Sequence, residues 1–534
     1  MLSAVLLLVI LILIHELGHF IAARLVGVRV EAFSIGFGPK LISKKIGDTE
    51  WKISAIPLGG YVKMTGESLE DEKNIKEEDK AVSFSHQKWW KKLIIVLAGP
   101  LTNILFAIPI YMVVASYQLE TTAPLVEFVS YNSPAEQAGI EPGDRVIGLN
   151  NNIINTWDDI VEYMPKMVNN SCEKISIKLI KTISNKEISY NIIPEKSSYK
   201  NLFGEVIHYC KIGISSQVVP PEIYIPHSIG GINSADKVLK IGRVEVDRYY
   251  DIKKLLSEGK SAVLTERNGK EIVSHLTPIE VKEMLLLMHP LGMTIKSVDE
   301  ESVAQKVGFL KGDVITAVDG EKVQIPYDFV SYFRQKTGKK EREVSYIRGG
   351  ESAKIMVPVE YEDKDNPYTG QTQNKIKWGA KFSFEYLSSQ QVKRPNPIAY
   401  IVSSGFTTTK DIARDTLKGV WFMITGKLSA KGLGGPIMVF DISAKAAKRG
   451  LKVFLYMMGV ISINLGLVNL FPIPVLDGGH IVFFTIEGIM KKPVSQKVRE
   501  RLMTAGLILL LLLMLFAVTN DILRYITIFG VGGG

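Results

Sequence analysis

The first 23 residues combine strong apolarity with three ionisable side chains, and this combination limits what the chain can fold into. Met1–Ile14 carry no charge, and with the residues that follow they form an apolar run long enough to span a bilayer as one helix. His15, Glu16 and His19 lie inside that run. Ionisable groups at membrane depth are costly and therefore indicate function. Because residues four apart share a helical face, we expect both histidines to bind one metal ion with Glu16 beside it, as in a zinc hydrolase.

Three further apolar runs predict a membrane protein with four spans. They lie within residues 93–118, 451–477 and 502–520. The length of 534 residues and the mean hydropathy of +0.14 agree with several domains joined to membrane spans. The N-terminal run is not interpreted as a cleaved signal peptide, because it lacks a basic leading segment and carries its charged motif where cleavage would occur.

The third apolar run is broken by polar residues and prolines, namely Asn464, Asn469, Pro472 and Pro474. Irregular backbone at membrane depth is tolerated where protein buries it or where it lines a wet cavity, which suits an active site. A catalytic zinc normally has three protein ligands, so two histidines leave one position to fill. Asp477, at the end of this run, is the strongest candidate, and His480 is the alternative. The metzincin pattern fails, because Ala22 and Leu25 stand where it needs Gly and His.

The distribution of Lys and Arg predicts the orientation of the spans. Residues 25–92 and 478–501 are rich in both, so the positive-inside rule places these two segments in the cytoplasm. The large region between the second and third spans then faces the other side, which is the periplasm in a Gram-negative type of cell. The net charge of +9 is spread along the chain without a basic, aromatic binding module, which argues against a nucleic-acid partner.

The region between the second and third spans contains a repeat. Ser133–Asn150 recurs as Ser302–Gly320, each with a short helix ending in Gly, a Gly-Asp turn and a β-run, followed by helices predicted at Trp157–Met164 and Tyr327–Gln335. The pattern resembles PDZ domains, which bind extended or C-terminal peptides by strand addition. Residues 235–256 resemble a decayed third copy. Residues 290–293 are a weak match to the carboxylate-binding loop of the last copy.

Two glycine-rich stretches, residues 33–39 and 56–64, predict hairpin strands in the first cytoplasmic segment. A solvated hairpin and a sheet edge that dips towards the active site are both open, and an extended substrate could add to such an edge. Helical spacing of apolar residues after 397 predicts amphipathic helices that lie on the membrane or pack on the repeats. Cys172 and Cys210 either pair outside the cytoplasm or remain two free thiols.

Together the motifs resemble the site-2 protease family of intramembrane metalloproteases, peptidase family M50. The resemblance is carried by residues 15–19, 36–39, 57–61, 99–103 and 469–479. With PDZ-like copies between the second and third spans, the chain resembles the bacterial regulator-of-sigma-E branch. The expected fold is a polytopic α-helical membrane protein with four spans, a membrane-reentrant β-hairpin and periplasmic PDZ-like α+β domains.

This resemblance implies roles for individual residues. Zn²⁺ is expected to bind His15, His19 and Asp477, and Glu16 is expected to act as the general base. The resemblance also implies substrate-binding residues, which are Asn469, Pro472, Gly59, Gly60 and Tyr61. Implied substrates are single-span membrane proteins, such as anti-sigma factors or remnant signal peptides, cut within the bilayer of the bacterial inner membrane. The PDZ-like domains would filter substrates by size or dock them.

The predicted organisation divides the chain into spans and extramembrane segments. The spans are 1–24, 93–118, 451–477 and 502–520; the cytoplasmic segments are 25–92 and 478–501; the PDZ-like segments are 119–200, 201–284 (degenerate) and 285–362; 363–450 holds a linker and amphipathic helices, and 521–534 is a tail. An alternative function is a silent membrane scaffold that binds periplasmic C-termini. Glu16 argues against it, because a structural zinc needs four closed ligands. A zinc transporter ranks lower, because the fourth span carries no ionisable residue.

Overall fold

The structure is a computed structural model that describes most of the chain. The described residues are 2–67, 75–130, 133–166, 172–182, 184–200, 205–225, 227–290, 293–323, 329, 333, 340–348, 351–365, 372–382, 387–430, 433–492 and 494–530. They form two compact units. The membrane unit comprises residues 1–119, 367–371 and 396–534, and the repeat unit comprises residues 120–366 and 372–395.

The helices fall mainly in the membrane unit. In chain order they are α1 (Leu2–Leu25), α2 (Trp89–Ser116), α3 (Pro134–Gln137), α4 (Trp157–Lys166), α5 (Tyr249–Ser257), α6 (Pro278–Leu287), α7 (Val303–Lys306), α8 (Pro397–Ile424), α9 (Pro436–Lys448), α10 (Leu451–Leu470), α11 (Asp477–Met490) and α12 (Gln496–Gly530). A 3₁₀ helix covers Glu77–Val82.

The strands fall mainly in the repeat unit. The membrane unit contains β1 (Val30–Ile46) and β2 (Thr49–Met64). The repeat unit begins with β3 (Glu120–Thr122), β4 (Phe128–Val129), β5 (Arg145–Leu149), β6 (Asn152–Ile153), β7 (Ile175–Ile180), β8 (Glu187–Ile192), β9 (Glu195–Lys200), β10 (Val206–Lys211) and β11 (Ile214–Ser215). It continues with β12 (Ile223–Tyr224), β13 (Lys237–Ile241), β14 (Val244–Glu245), β15 (Ala262–Arg267), β16 (Lys270–His275) and β17 (His289–Pro290). It ends with β18 (Ile295–Val298), β19 (Val314–Val318), β20 (Glu321–Lys322), β21 (Glu341–Arg348), β22 (Glu351–Pro358), β23 (Tyr361–Asp365), β24 (Thr372–Ile376), β25 (Ala380–Phe382) and β26 (Gln391–Lys393).

Among the described residues, four helices of the membrane unit are long and apolar enough to cross a bilayer, which agrees with the predicted number of spans. They cover Ser3–Leu25, Trp89–Ser116, Leu451–Leu470 and Gln496–Arg524. The chain is therefore a multi-pass membrane protein. Helix α2 is the central element, because α1, α8, α10 and α11 all pack on it.

Two boundaries near the third span differ from the prediction. The helix runs unbroken through Asn464 and ends at Leu470, so the irregular stretch is only residues 471–476. Residues 478–501, predicted as a loop, instead contain helix α11 and the start of α12. Helix α12 also continues through most of the predicted tail. The apolar residues after Asp477 repeat with helical spacing, and the glycines beside it obscured that pattern.

Close helix packing in the membrane unit depends on small residues. A methyl group on Gly18 would collide with Thr102 and the Ala98 carbonyl of α2. On α10, a methyl group on Gly466 would approach the Pro100 carbonyl oxygen to 2.6 Å. The backbones of α1 and α10 therefore pack directly against α2, with no room for larger side chains.

The two long strands of the membrane unit fold into a bent sheet. The outer parts pair as a hairpin, from Lys40 with Ser54 to Ile46 with Thr49, and the inner end of β1 pairs with the end of β2, as in Val30 with Met64. The chain reverses near Gly47, and both glycine-rich stretches lie within the strands. The predicted strands are present, but the turn lies between the glycine-rich stretches.

The repeat unit contains three sheets of identical strand order. They are β6-β5-β7-β8, β14-β13-β15-β16 and β20-β19-β21-β22. Each is accompanied by a short antiparallel pair that joins a strand before it to a strand after it, which are β4 with β11, β12 with β17 and β18 with β25. The first and last of these modules therefore extend beyond the predicted ends at residues 200 and 362. Most of the predicted helix 327–335, and half of the 290–293 loop, lie outside the described residues.

A buried aspartate recurs at the same place in each module. The carboxylates of Asp144, Asp236 and Asp313 each accept a backbone N–H from three residues earlier. Each also pairs with a basic side chain at or directly after the end of β7, β15 or β21, and these side chains are Lys181, Arg267 and Arg348. Each cation further donates to a glycine carbonyl, which belongs to Gly139, Gly231 and Gly308 respectively. The middle segment thus shares this buried pair although its sequence lacks the Gly-Asp turn.

A disulfide joins Cys172 to Cys210, so the two thiols are paired in this structure. Both cysteines are buried in the core of the first module. The bond ties strand β10 to the residues that precede β7. It closes a loop whose ends are 38 residues apart in the sequence.

Candidate metal centre

Three side chains from two apolar helices converge within the membrane unit. They are His15 and His19 on α1 and Asp477 at the first position of α11. The Nε2 atoms of the two histidines are 3.2 Å apart. The Oδ2 atom of Asp477 lies 3.2 Å from His15 Nε2 and 3.5 Å from His19 Nε2. The structure thus brings together the three residues predicted as ligands.

These separations fit a tetrahedral zinc site. Zinc binds imidazole nitrogen and carboxylate oxygen at about 2.0–2.2 Å, so neighbouring ligand atoms on a tetrahedron lie roughly 3.3–3.5 Å apart. The observed distances of 3.2, 3.2 and 3.5 Å fall close to that range. Two imidazoles and one carboxylate are also a known catalytic donor set, which leaves a fourth position for water.

Helix α2 fixes the ring of His19. The Nδ1 atom donates a hydrogen bond to the Ile95 carbonyl oxygen at 2.8 Å, which leaves Nε2 free to act as a ligand. One turn further along α2, a methyl group on Gly99 would overlap the His19 ring. His19 therefore needs both the carbonyl oxygen of Ile95 and the empty space at Gly99.

The loop before α11 positions Asp477. Residues 471–476 fold back over the first turn of α11, where a methyl group on Gly478 would collide with the Phe471 carbonyl. A methyl group on Gly479 would approach the Ile473 carbonyl oxygen to 2.6 Å. Val475, two residues before Asp477, has a φ of +98°, a conformation that is costly for a β-branched residue. Strained backbone of this kind is concentrated at functional sites.

Glu16 lies beside strand β2. A methyl group on Gly60 would approach the Glu16 Cγ atom to 3.2 Å and the Ser34 carbonyl oxygen to 2.9 Å. Gly60 thus allows the end of β2 to run directly past the carboxylate. Glu16 and the segment around Gly60, both predicted from sequence to be functional, are neighbours in the fold.

The other predicted substrate-binding residues lie on two sides of this centre. Gly59 precedes Gly60 in β2, and a side chain there would overlap the ring of Phe37, which stacks on Tyr61. Asn469 is in the last turn of α10, and Pro472 is exposed in the loop that leads to Asp477. The structure places each of them on an element that also carries a residue of the centre or borders it.

His480, the alternative ligand, is not among the described residues whose ligand atoms converge. Its ring instead stacks on Phe484, one turn further along α11, with centroids 6.2 Å apart. Within the described part of the chain, Asp477 is therefore the carboxylate that completes the group.

Sequence reasoning missed the part of α2 that supports the histidines. Ile95, Gly99 and Asn103 are spaced four residues apart and share one face of that helix. Asn103 Nδ2 lies 3.4 Å from His15 Nδ1. The stretch 99–103 contributed to the family resemblance, but nothing in its sequence showed that it faces the histidines. A buried Asn in an apolar helix was the available signal.

Comparison with known proteins identifies the family. The sequence profile of peptidase family M50 matches residues 3–513. The chain belongs to peptidase family M50. This confirms the predicted site-2 protease resemblance, and the chain is therefore an enzyme, a metalloendopeptidase of this type.

Similar proteins agree with this assignment over their full length. A regulator of sigma E protease from Haemophilus influenzae is 30% identical over 533 residues, which is 98% of each chain. Protease RseP from Yersinia pestis is 29% identical over 96% of each chain. A Neisseria meningitidis protein named as a zinc metalloprotease is 29% identical over 96% of this chain and 97% of its own. A solved PDZ domain protein from Parabacteroides distasonis aligns with 51% of this chain and 95% of its own at 9% identity, but its TM-score of 0.13 is too low to carry an argument.

Proposed function

We propose that this M50 peptidase is an intramembrane zinc endopeptidase that cleaves single-span membrane proteins. The observation that carries the proposal is the group of His15, His19 and Asp477, whose ligand atoms have the spacing of a tetrahedral zinc site. The relatives named as zinc metalloproteases support the choice of metal. The group forms on a helix apolar enough to cross a membrane, so the cut falls within the bilayer.

His15, His19 and Asp477 would hold the zinc, and Glu16 would carry the proton. Bound there, zinc lowers the pKa of a water molecule and polarises the scissile carbonyl. Glu16, the residue after His15, is half-buried on α1 next to the ligands. Its carboxylate accepts a proton from the attacking water and then delivers it to the leaving amine nitrogen. His15 and His19 would bind the metal through the lone pairs of their Nε2 atoms.

Substrate would bind as an extended strand along the end of β2. The backbone near Gly60 passes directly beside Glu16, so a strand added to this segment would bring a peptide bond to the catalytic group. Gly59, Gly60 and Tyr61 would form the pairing edge, and Asn469 and Pro472 would hold the substrate backbone from the α10 side. A helical span must unwind to bind in this way, which favours substrates whose spans are weakly helical.

Single-span proteins, such as anti-sigma factors or remnant signal peptides, are the proposed substrates. Relatives of this chain carry the name regulator of sigma E protease, which supports a role in releasing a sigma factor from its membrane-bound inhibitor. A nucleic-acid partner is not proposed. The proposed location is the inner membrane of a bacterium.

The repeat unit is proposed to lie outside the cytoplasm. Two independent features support this orientation. First, the Lys and Arg of residues 25–92 and 478–501 favour a cytoplasmic location for these two segments, which leaves the repeat unit on the other side of the membrane. The Cys172–Cys210 disulfide is the kind of bond that forms and persists in an oxidising compartment such as the periplasm.

The three modules of the repeat unit are proposed to be PDZ-like, with the middle segment as a complete third copy. The common strand order and the shared buried aspartate pair support this count. The modules would filter substrates by the size of their periplasmic part or dock their C-termini.

A cleavage assay with purified full-length protein tests the proposed function. Wild type, Glu16→Gln and the control Glu31→Gln are incubated with a single-span substrate in lipid vesicles, and bound zinc is measured in each. Glu31 is on β1, where it pairs with Lys63 at 3.1 Å, so its loss leaves the centre intact. We expect cleavage within the span by wild type and Glu31→Gln, and a roughly 10²–10⁴-fold slower rate for Glu16→Gln with zinc retained.

Other outcomes of this assay would favour different functions. Cleavage outside the span would contradict an intramembrane reaction. If all three proteins hold zinc, none cleaves and wild type binds peptide C-termini, the protein is a membrane scaffold. Mass spectrometry of the products distinguishes these cases, because it locates the cut to a single peptide bond.

A further inference from the structure

Asn103 is a buried polar residue that the proposed reaction does not use. It lies in the middle of α2 and is fully shielded from solvent. Its Oδ1 atom has no hydrogen-bond partner among the described residues. An unpaired buried amide oxygen costs free energy, so an apolar helix would not retain it without a use.

Neighbouring helices hold the Asn103 side chain in one place. Its backbone carbonyl accepts a hydrogen bond from Ser462 Oγ on α10 at 2.7 Å. Its Cβ atom lies 3.3 Å from the position that a methyl group on Gly466 would occupy. On the opposite side, Nδ2 is 3.4 Å from Nδ1 of His15. The amide therefore faces His15 from the junction of three helices.

The chemistry of a zinc-binding histidine decides which end of the amide must face it. An imidazole that binds metal through Nε2 carries its proton on Nδ1 and needs a hydrogen-bond acceptor there. An asparagine amide turned by 180° keeps its shape and presents Oδ1 in place of Nδ2. In that orientation Oδ1 lies where it can accept from His15 Nδ1–H, and the unpaired oxygen acquires a partner.

We infer that Asn103 is the positioning residue for His15, which it orients for zinc through a hydrogen bond from Nδ1–H to Oδ1. His19 shows the same arrangement with the Ile95 carbonyl oxygen, eight residues earlier on the same face of α2. One helix face thus supplies an acceptor to each of the two histidines. This inference rests on the proposed zinc site.

Zinc affinity of the full-length protein in detergent, measured by competition with a chelator, tests this inference. Asn103→Leu keeps the branched shape and the number of heavy atoms, although it is larger, and it has no acceptor; we expect its zinc affinity to fall about 10–100-fold. Asn103→Asp restores an acceptor, and we expect an affinity close to that of wild type. A residue that serves only to fill space would give the reverse order, because Leu suits an apolar junction and a buried carboxylate does not.

Controls separate this role from general damage to the helix junction. Ser462→Ala removes the hydrogen bond to the Asn103 backbone and leaves the amide in place, so zinc affinity should not change. In a His15→Ala background, Asn103→Leu should have no further effect, because the two residues act through one contact. If Asn103→Leu does not fold, Asn103→Ala gives the same comparison.

The zinc affinities of the Asn103 variants and of wild type decide the inference. Weaker zinc binding by Asn103→Leu together with rescue by Asn103→Asp supports it, and a changed visible spectrum of the cobalt-substituted Leu variant supports it further. Zinc affinity equal to wild type in Asn103→Leu overturns it while the proposed function stands. Absence of stoichiometric zinc from wild type overturns both the inference and the proposed function.

Discussion

Asp144, Asp236 and Asp313 of the repeat unit each face a Lys or Arg, whereas Asp477 of the membrane unit faces two histidines. The first three carboxylates are almost fully shielded, with side chains 1–3% exposed, and the fourth is 20% exposed. A permanent cation neutralises a buried carboxylate and serves the fold. Two imidazoles are not permanent cations, and a divalent cation is the partner that would complete such a group.

The glycines of the two units also differ in what they provide. In the membrane unit, Gly60 leaves space for Glu16, Gly99 for the ring of His19, and Gly18 for Thr102 of α2. In the repeat unit, most of the described glycines with positive φ lie in turns, and several have open space around them. Glycine therefore serves close approach around the metal centre and mainly chain reversal in the repeat unit. We therefore expect substitutions at the metal centre to change zinc binding, and substitutions in the repeat unit to change stability and leave zinc binding unaffected.

Asp477→Asn is expected to have the largest effect. It removes the only carboxylate of the described ligand group, so we expect loss of stoichiometric zinc and of cleavage. The matched control is Asp521→Asn, which also changes a buried carboxylate of the membrane unit. Asp521 accepts the backbone N–H groups of Gly435 and Met438, both at 3.0 Å, and so caps helix α9. Its loss should lower stability by about 1 kcal/mol and leave zinc bound.

Metal analysis and thermal unfolding of both variants check this contrast. Zinc retained at wild-type affinity in Asp477→Asn would remove Asp477 from the ligand set. Zinc lost from Asp521→Asn without unfolding would show that stability and metal binding do not separate within this unit.

Gly99→Ala is expected to weaken zinc binding roughly 10-fold or more, on the scale of losing an orienting contact. The added methyl group overlaps the ring of His19 and must displace it. Gly148→Ala, in the repeat unit, is the control, because its new methyl group would have its nearest neighbours at 3.4 and 3.6 Å, ordinary contact distances. Chelator competition measures both variants, and equal affinities would contradict the proposed packing of α2 against His19.

Loss of the disulfide is expected to destabilise the first module without affecting zinc. For cysteines 38 residues apart, the chain-entropy estimate is about 4 kcal/mol. The double variant Cys172→Ser, Cys210→Ser avoids a free thiol, and proteolysis of the repeat unit reports its local unfolding. Unchanged protease resistance, or loss of zinc, would contradict the division between the units.

Asp236→Ala is expected to lower the stability of the middle module by about 1–3 kcal/mol, because it removes the partner of Arg267 and leaves a backbone N–H unpaired. Arg267 binds Asp236 through two hydrogen bonds of 2.7 Å, whereas Lys181 makes one of 3.0 Å to Asp144. Asp144→Ala should therefore cost less. Limited proteolysis of both variants measures the order, and the reverse order would contradict this account of the pairs.

The sequence predicted the features that depend on composition and local spacing. The four spans follow from long apolar runs, and the pairing of His15 with His19 follows from helical spacing. Asp477 was predicted because a third ligand was missing, and the structure brings it to the histidines. The β-run of each repeat was also predicted, from the recurrence of the motif, and strands β5 and β19 are present there.

Features that depend on contacts between distant residues were not predicted. The Lys and Arg of residues 478–501 predicted a cytoplasmic loop, whereas helix α11 depends on Gly478 and Gly479, which allow the preceding loop to fold over its first turn. Residues 235–256 were predicted as a decayed third copy, but the pair of Asp236 with Arg267 was not predicted, because the two residues are 31 apart in the sequence. The contacts of Gly99 and Asn103 with the two histidines were not predicted, because they arise only when α2 packs against α1.

The measurement that tests the central claim most directly is zinc X-ray absorption on the purified full-length protein. The account predicts one zinc per chain, bound by two imidazole nitrogens and by oxygen at about 2.0–2.2 Å, with no sulfur neighbour. It also predicts that Glu16→Gln leaves this spectrum unchanged while slowing cleavage roughly 10²–10⁴-fold. A zinc bound by sulfur or by four protein ligands, or a spectrum that changes when Glu16 is replaced, would contradict the assignment of His15, His19 and Asp477 as ligands and Glu16 as base.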